Sequence, residues 1–335
     1  MIIKFKRGDT MKALSGKFTA AVMSALLSCS LAGCAQGELS SDPNKIEIIC
    51  TTFSEYDWTR EIVGKNKNVE ITYLLDNGVD LHNYQPSTED IMKISDCDMF
   101  VYVGGESDKW VDDALREARN KDMQVIKLLD VLGDFAKEEE VKEGMEAEEE
   151  EDGDEGPEYD EHVWLSLRNA GICCDAICDS LCRIDNGNAD TYRQNLVVYI
   201  SKLDNLDSEY TDMAENAEVK TIIFGDRFPF RYLVDDYGID YYAAFVGCSA
   251  ETEASFETIV GLSGKLDELG LDTVFTIENS DPSIAQAVID NSANKDRNIE
   301  TLNSIQSVTA DTVSSGVTYI SLMKQNLETL RKVLD

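Results

Sequence analysis

The chain is poor in histidine, poor in basic residues and short of long apolar runs, and each shortage removes a class of function. Only two histidines, His82 and His162, stand among 335 residues. Any imidazole chemistry therefore rests on those two positions. Lysine and arginine number 30 against 65 aspartates and glutamates, a formal net charge of −35. No basic stripe offsets that excess, so nucleic acid, itself a polyanion, is excluded as a partner. So acidic a surface concentrates cations instead. The apolar stretch from Thr19 to Ala32 is too short for a comfortable membrane span. Paired CxxC motifs are missing, which argues against a cysteine-based oxidoreductase and against the commonest cysteine metal sites.

What the N-terminus does contain reads as an address. Lys4, Lys6, Arg7, Lys12 and Lys17 form a basic segment, with Met11 an alternative start. The Thr19 to Ala32 stretch suits a signal h-region. It ends in "LAGC", Leu31 to Cys34, which resembles the bacterial lipobox, whose cysteine is lipidated and becomes the first residue. A plain secreted signal with an incidental cysteine is the competing reading. We therefore expect a signal peptide at 1–33, lipidation of Cys34, a polar tether at 34–44, and an extracytoplasmic protein held by acyl chains to the bacterial cell membrane.

Four of the nine cysteines, Cys173, Cys174, Cys178 and Cys182, crowd one helical stretch. Cys174, Cys178 and Cys182 share a face at i, i+4, i+8. Neighbours on a helix face lie about 5–6 Å apart with diverging Cβ vectors, so a bridge within the helix is geometrically poor. Cysteine also packs as a small hydrophobe, and these four are expected in the core.

From Lys45 onward strands and helices alternate, the signature of a parallel α/β sheet. "KIEIIC", "VEITYLL", "DMFVYVGG" and "MQVIKLL" read as strands, with helices at Ser54 to Gly64, from Ser87 (a capping box with Asp90) and near Lys109 to Lys121. Lys137 to Glu161 holds 15 carboxylates among 25 residues and hardly any apolar groups, too polar to order itself, so we expect a mobile acidic loop there. Ala189 to Ala217 is one helix. Tyr192, Leu196, Tyr199, Leu203, Leu206, Tyr210 and Met213 mark a single apolar stripe on it. At about 1.5 Å per residue it is a rod of some 40 Å. Alternation then restarts with "VKTIIF", "IDYYAAF" and "DTVFTI", and the chain closes on an amphipathic helix from Gly316 to Leu334. The expected architecture is α/β: an N-terminal lobe at 45–188, a linking helix at 189–217 and a C-terminal lobe at 218–335.

In open α/β sheets ligands bind beyond the carboxyl ends of the strands. His82 follows "VEITYLL", Asp226 follows "VKTIIF" and Glu278 follows "DTVFTI". His162 lies at the end of the acidic stretch, just before a helix. Two candidates fall in each lobe, a layout that suits one ion in a cleft between them. Two imidazoles and two carboxylates form a closed set for Zn2+ or Mn2+, with Zn2+ favoured in raw affinity. Such a set leaves no open position for an activated water, which argues against an enzyme. Asp160 and Glu161 are placed to orient the His162 ring. The plainer alternative is that these are hydrogen-bonded turn residues and helix caps.

The segments "GVDLHNYQPST" and "DEHVWLSLRNA" resemble the G-x-D-x-H-x-Y-x-P and D-x-H-x-W-L signatures of the metal-binding receptors of ABC importers, the cluster that takes up zinc and manganese. "FRYLVDDYGIDYYA", "CSAETEAS" and "FTIENSDPSIAQAV" resemble that cluster's second-lobe motifs, in order, and the likeness spans about residues 45–335. The resemblance implies a periplasmic-binding-protein-like fold of the metal-receptor type, with two parallel-sheet lobes joined by one long rigid helix. It implies one divalent ion between the lobes, Zn2+ ahead of Mn2+, and a monomer that docks on a membrane permease. His82 and His162 match the first two ligands and Glu278 the fourth. The third slot falls on Arg227, which binds no metal, so Asp226 next door is the expected substitute. Glu253 matches a glutamate read as structural or interfacial. An extracellular metallohydrolase and a surface adhesin are the readings from other classes.

Overall fold

The computed structural model describes residues 45–146, 158–249 and 253–335. The signal segment 1–33, Cys34, the tether 34–44 and the middle of the acidic segment lie outside the described residues. Both lobes fall within one unit, Asn44–Asp335.

The first lobe carries β1 (Ile46–Cys50), α1 (Phe53–Val63), β2 (Val69–Tyr73), α2 (Thr88–Asp96), β3 (Met99–Tyr102), α3 (Trp110–Arg116), β4 (Gln124–Lys127), α4 (Leu128–Leu132) and α5 (Leu167–Ile184). The long α6 (Ala189–Asn216) follows. The second lobe carries β5 (Thr221–Phe228), α7 (Arg231–Tyr237), β6 (Asp240–Val246), α8 (Phe256–Glu268), β7 (Thr273–Ile277), α9 (Ser283–Asn291), β8 (Asn298–Leu302), α10 (Ala310–Ser314) and α11 (Tyr319–Leu334). The sheets run in the orders β2-β1-β3-β4 and β6-β5-β7-β8, and all pairs are parallel.

Local chemistry accounts for these elements. Strands such as Met99–Tyr102 and Thr273–Ile277 are buried along their whole length, as central parallel strands covered on both faces should be. The capping box of α2 forms as the sequence implies: Ser87 Oγ accepts from Asp90 N at 3.2 Å and Asp90 accepts from Ser87 N at 2.9 Å. Cys173, Cys174, Cys178 and Cys182 are free and buried in α5, packed as small apolar groups.

The stripe on α6 does what its spacing requires. Tyr192, Tyr199, Leu203, Leu206, Tyr210 and Met213 are buried, and Leu196 is partly so. The rod packs on α1 and α5 of the first lobe and on α11 at the end of the chain. It is not the only tie. Tyr319 at the start of α11 donates its hydroxyl to Trp164 O at 2.6 Å, and its amide bonds Asp57 Oδ2 at 2.8 Å. One continuous apolar cluster therefore runs from the first sheet through α5 and α6 to α11, and a smaller one around Val274, Leu266 and Val288 fills the far side of the second sheet.

Two elements depart from the sequence reading. The strand expected to stop at Phe224 continues to Phe228, with an irregular register between Phe224 and Arg227. Asp226 thus sits inside a bulged strand rather than beyond it. The flanks of the acidic segment, expected to be mobile, are held: Glu139 N bonds Glu158 O at 2.9 Å, and Glu146 N bonds Ala244 O beside β6 at 2.9 Å. A backbone bond to the edge strand of the second sheet and side-chain pairs such as Lys142–Asp240 hold these flanks in place.

Gly225 shows how closely β5 and α9 approach. A Cβ there would stand 2.6 Å from Ala285 N, backbone that cannot swing away. Gly225→Ala is expected to lower stability by about 1–3 kcal/mol, the range for overpacked sites. A urea titration checks this; an unchanged midpoint would contradict the packing.

Candidate metal site

The carboxyl ends of both sheets meet, and the histidines lie where they do. Beyond β2 the chain turns at Gly78, whose φ of 77° suits glycine, and reaches Asp80. Asp80 caps the single turn Leu81–Asn83 by accepting from His82 N at 3.1 Å. Buried Leu81 pins that turn to the core and leaves His82 facing inward. His162 is fully buried, at the head of the turn Val163–Leu165. Trp164 lies edge-on to its ring at 5.4 Å.

The two rings point their Nε2 atoms at each other, 3.2 Å apart. Their other nitrogens are committed. His162 Nδ1 lies 2.9 Å from Asp160 Oδ1, which also accepts from His162 N at 2.8 Å. The carboxylate holds Nδ1 as the protonated nitrogen and turns Nε2 toward His82. His82 Nδ1 lies 2.7 Å from Ser107 Oγ and 3.5 Å from Glu161 Oε2. Glu161 Oε1 accepts from Ser107 N at 2.8 Å, while its Oε2 is buried without a hydrogen bond. Gly105 admits this arrangement: its φ is 88°, and a Cβ would stand 2.8 Å from Glu161 Cγ.

The electrostatics follow from burial and proximity. Burial, the adjoining His162 and Arg227 push His82 down to about 3, against the pull of Asp80. Burial works to lower His162 as well, but Asp160 outweighs it and the ring ends above its ordinary value. Burial raises Glu161 to about 7.

Of the second-lobe candidates, Asp226 is 8% exposed and both its oxygens are engaged: Oδ1 with Arg227 N at 2.9 Å, Oδ2 with Ile277 N at 3.1 Å. It ties β5 to β7. Arg227 forms an ion pair with Asp80 of the first lobe. Glu278, just past β7, accepts from Ser304 N at 2.6 Å and Ser304 Oγ at 2.8 Å. Ser304 O in turn accepts from Trp164 Nε1 at 2.8 Å, so one residue separates Glu278 from the His162 turn. Glu253 is exposed.

The donors that come together with the histidines include one the sequence reading passed over. Ligand atoms of His82, His162 and Cys248 all lie within 4.8 Å of one another. Cys248 follows the carboxyl end of β6. The strand-end rule that found His82 and Glu278 reaches it too.

Fold and site together define a two-lobed α/β binding protein with a cluster of nitrogen and sulfur donors between the carboxyl ends of its sheets. The chain belongs to the family described as zinc-uptake complex component A, periplasmic, whose model matches residues 48–333. It is 31% identical over 296 residues to the zinc-binding lipoprotein AdcA of Streptococcus pneumoniae, covering 87% of this chain and 56% of that protein. It spans little more than half the length of the AdcA relatives it matches. Over 327 residues it is 28% identical to the high-affinity zinc uptake system protein ZnuA of Bacillus subtilis, covering 96% of this chain and 98% of that one. Among solved structures, the Zn(II)-bound ZnuA-like domain of S. pneumoniae AdcA matches with a TM-score of 0.68 at 27% identity, covering 87% of this chain and 99% of that one.

Because His82 is held neutral, its imidazole signals in NMR of the protein stripped of metal are expected to keep their neutral positions until the pH approaches about 3. A midpoint near the ordinary value of about 6.5 would contradict this packing.

Proposed function

We propose that the chain is a solute-binding lipoprotein that captures Zn2+ outside the cytoplasm and delivers it to the membrane permease of an ABC importer, without catalysis. The observation that carries this reading is the facing pair of Nε2 atoms, 3.2 Å apart. Two zinc–nitrogen bonds of about 2.0–2.1 Å at a tetrahedral angle span about 3.3 Å. The rings are thus already at the separation a shared ion needs. Asp160 and Ser107 hold the far nitrogens, as ligating histidines require.

The second lobe closes the site. Glu278 is the proposed carboxylate ligand, and Asp226 serves only if it gives up its bonds to Arg227 N and Ile277 N. A closed set of protein donors leaves no vacancy for a nucleophilic water, which sets the site apart from a hydrolytic one. Imidazole-rich donors favour zinc over manganese, whose preference is for oxygen. The family and the zinc-binding names of its members support the same choice. Anchoring at Cys34 and a monomeric state complete the proposal.

Competition titration against chelators tests it. Zn2+ is expected to bind with nanomolar affinity and Mn2+ orders of magnitude more weakly; the reverse ranking would defeat the zinc reading. Asp160→Asn, which keeps the shape but frees the His162 ring, is expected to cost about 10–100-fold in Zn2+ affinity. Unchanged affinity in that variant and in His82→Ala would remove the site from consideration.

A further inference from the structure

We infer that Cys248 is the third ligand to the captured ion, a thiolate beside the two imidazoles and the proposed Glu278 carboxylate. The inference rests on the zinc-receptor reading above and changes its donor set.

The backbone brings the thiol to the place where a donor is missing. The resemblance puts the third ligand at Arg227, near the end of β5, and a guanidinium offers a metal no lone pair. That side chain pairs with Asp80 instead. β6 lies alongside in register, Arg227 opposite Phe245 and Phe228 opposite Val246. The chain leaving β6 therefore emerges beside the end of β5. Two residues past Val246 it delivers Cys248, within 4.8 Å of ligand atoms on both histidines.

Gly247 makes the approach feasible. A Cβ there would stand 3.1 Å from His162 Cε1 and 2.9 Å from Phe228 O, so a side chain would press the loop off the ring. The turn is held at both sides: Ser249 N bonds Val246 O at 3.3 Å, and Cys248 N bonds Glu139 Oε1 at 3.2 Å. Other described cysteines, Cys50, Cys97, Cys173, Cys174, Cys178 and Cys182, are buried in the core; Cys248 is not sealed in that way. The carboxylate next to Arg227 is spent on backbone amides, which leaves Asp226 in its structural place between β5 and β7.

Coordination takes the sulfur as thiolate and releases its proton to solvent. One sulfur with two imidazoles is a borderline-soft set. It suits Zn2+ and Cd2+ and disfavours Mn2+, so the thiol supplies metal selectivity that an oxygen donor would not.

X-ray absorption at the zinc edge, on the whole chain loaded with one equivalent of Zn2+, decides the matter. The expected spectrum shows one sulfur at about 2.3 Å beside nitrogen and oxygen at about 2.0–2.1 Å. In Cys248→Ser the sulfur shell should vanish while the imidazole shells remain, and affinity should fall by at least about 100-fold, above the range for groups that merely orient a ligand. Cobalt gives a second readout: a sulfur-to-cobalt charge-transfer band in the wild type that is lost in Cys248→Ser. Zinc that is bound, is lost in His82→Ala, and shows only nitrogen and oxygen in the wild type would overturn the inference and leave the receptor reading standing. A chain that retains no zinc at all would overturn both.

Discussion

A histidine with no exposed surface must have both ring nitrogens accounted for, and this requirement organises the rest of the site. His162 meets it with Asp160 on one nitrogen and His82 on the other. The Asp160 bond decides which ring nitrogen is left facing His82. Tyr232 donates its hydroxyl to Asp160 O at 2.9 Å, so the second lobe holds the residue that orients a first-lobe ring. Trp164, bonded to Ser304 O and edge-on to His162, ties the same turn to the second lobe from the other side.

The lobes are accordingly joined by more than a linking rod. α6 buries its stripe against helices of both lobes, α11 returns to meet Trp58 and Trp164, and the Arg227–Asp80 pair crosses beside the histidines. The acidic flank Lys137–Glu146 adds a strap, with Lys142 paired to Asp240 and lying 4.1 Å from the Tyr241 ring. A continuous packed core of this kind resists smooth deformation between the lobes.

Much of this was legible in the sequence because it depends on periodicity. Alternating apolar strands and helices gave two parallel sheets, and the spacing from Tyr192 to Met213 marked the linking helix. The scarcity of histidine made His82 and His162 conspicuous, and the structure places their rings side by side. What spacing could not convey was side-chain direction in irregular backbone. Extension of β5 through a bulge turned Asp226 toward two amides, a consequence of register that no local pattern encodes. Cys248 was hidden by composition: among nine cysteines, most of them core, one more carried no signal until its strand end was known. The ordered flanks of the acidic segment depend on an unpaired edge of β6, which the carboxylate run does not reveal.

The central claim is that one divalent ion sits between the two imidazoles. Anomalous diffraction at the zinc edge, from crystals grown with stoichiometric Zn2+, tests it most directly. The account predicts a single strong peak within about 2.0–2.1 Å of Nε2 of both His82 and His162. A peak elsewhere on the molecule, with the two rings still bonded to each other, would contradict it.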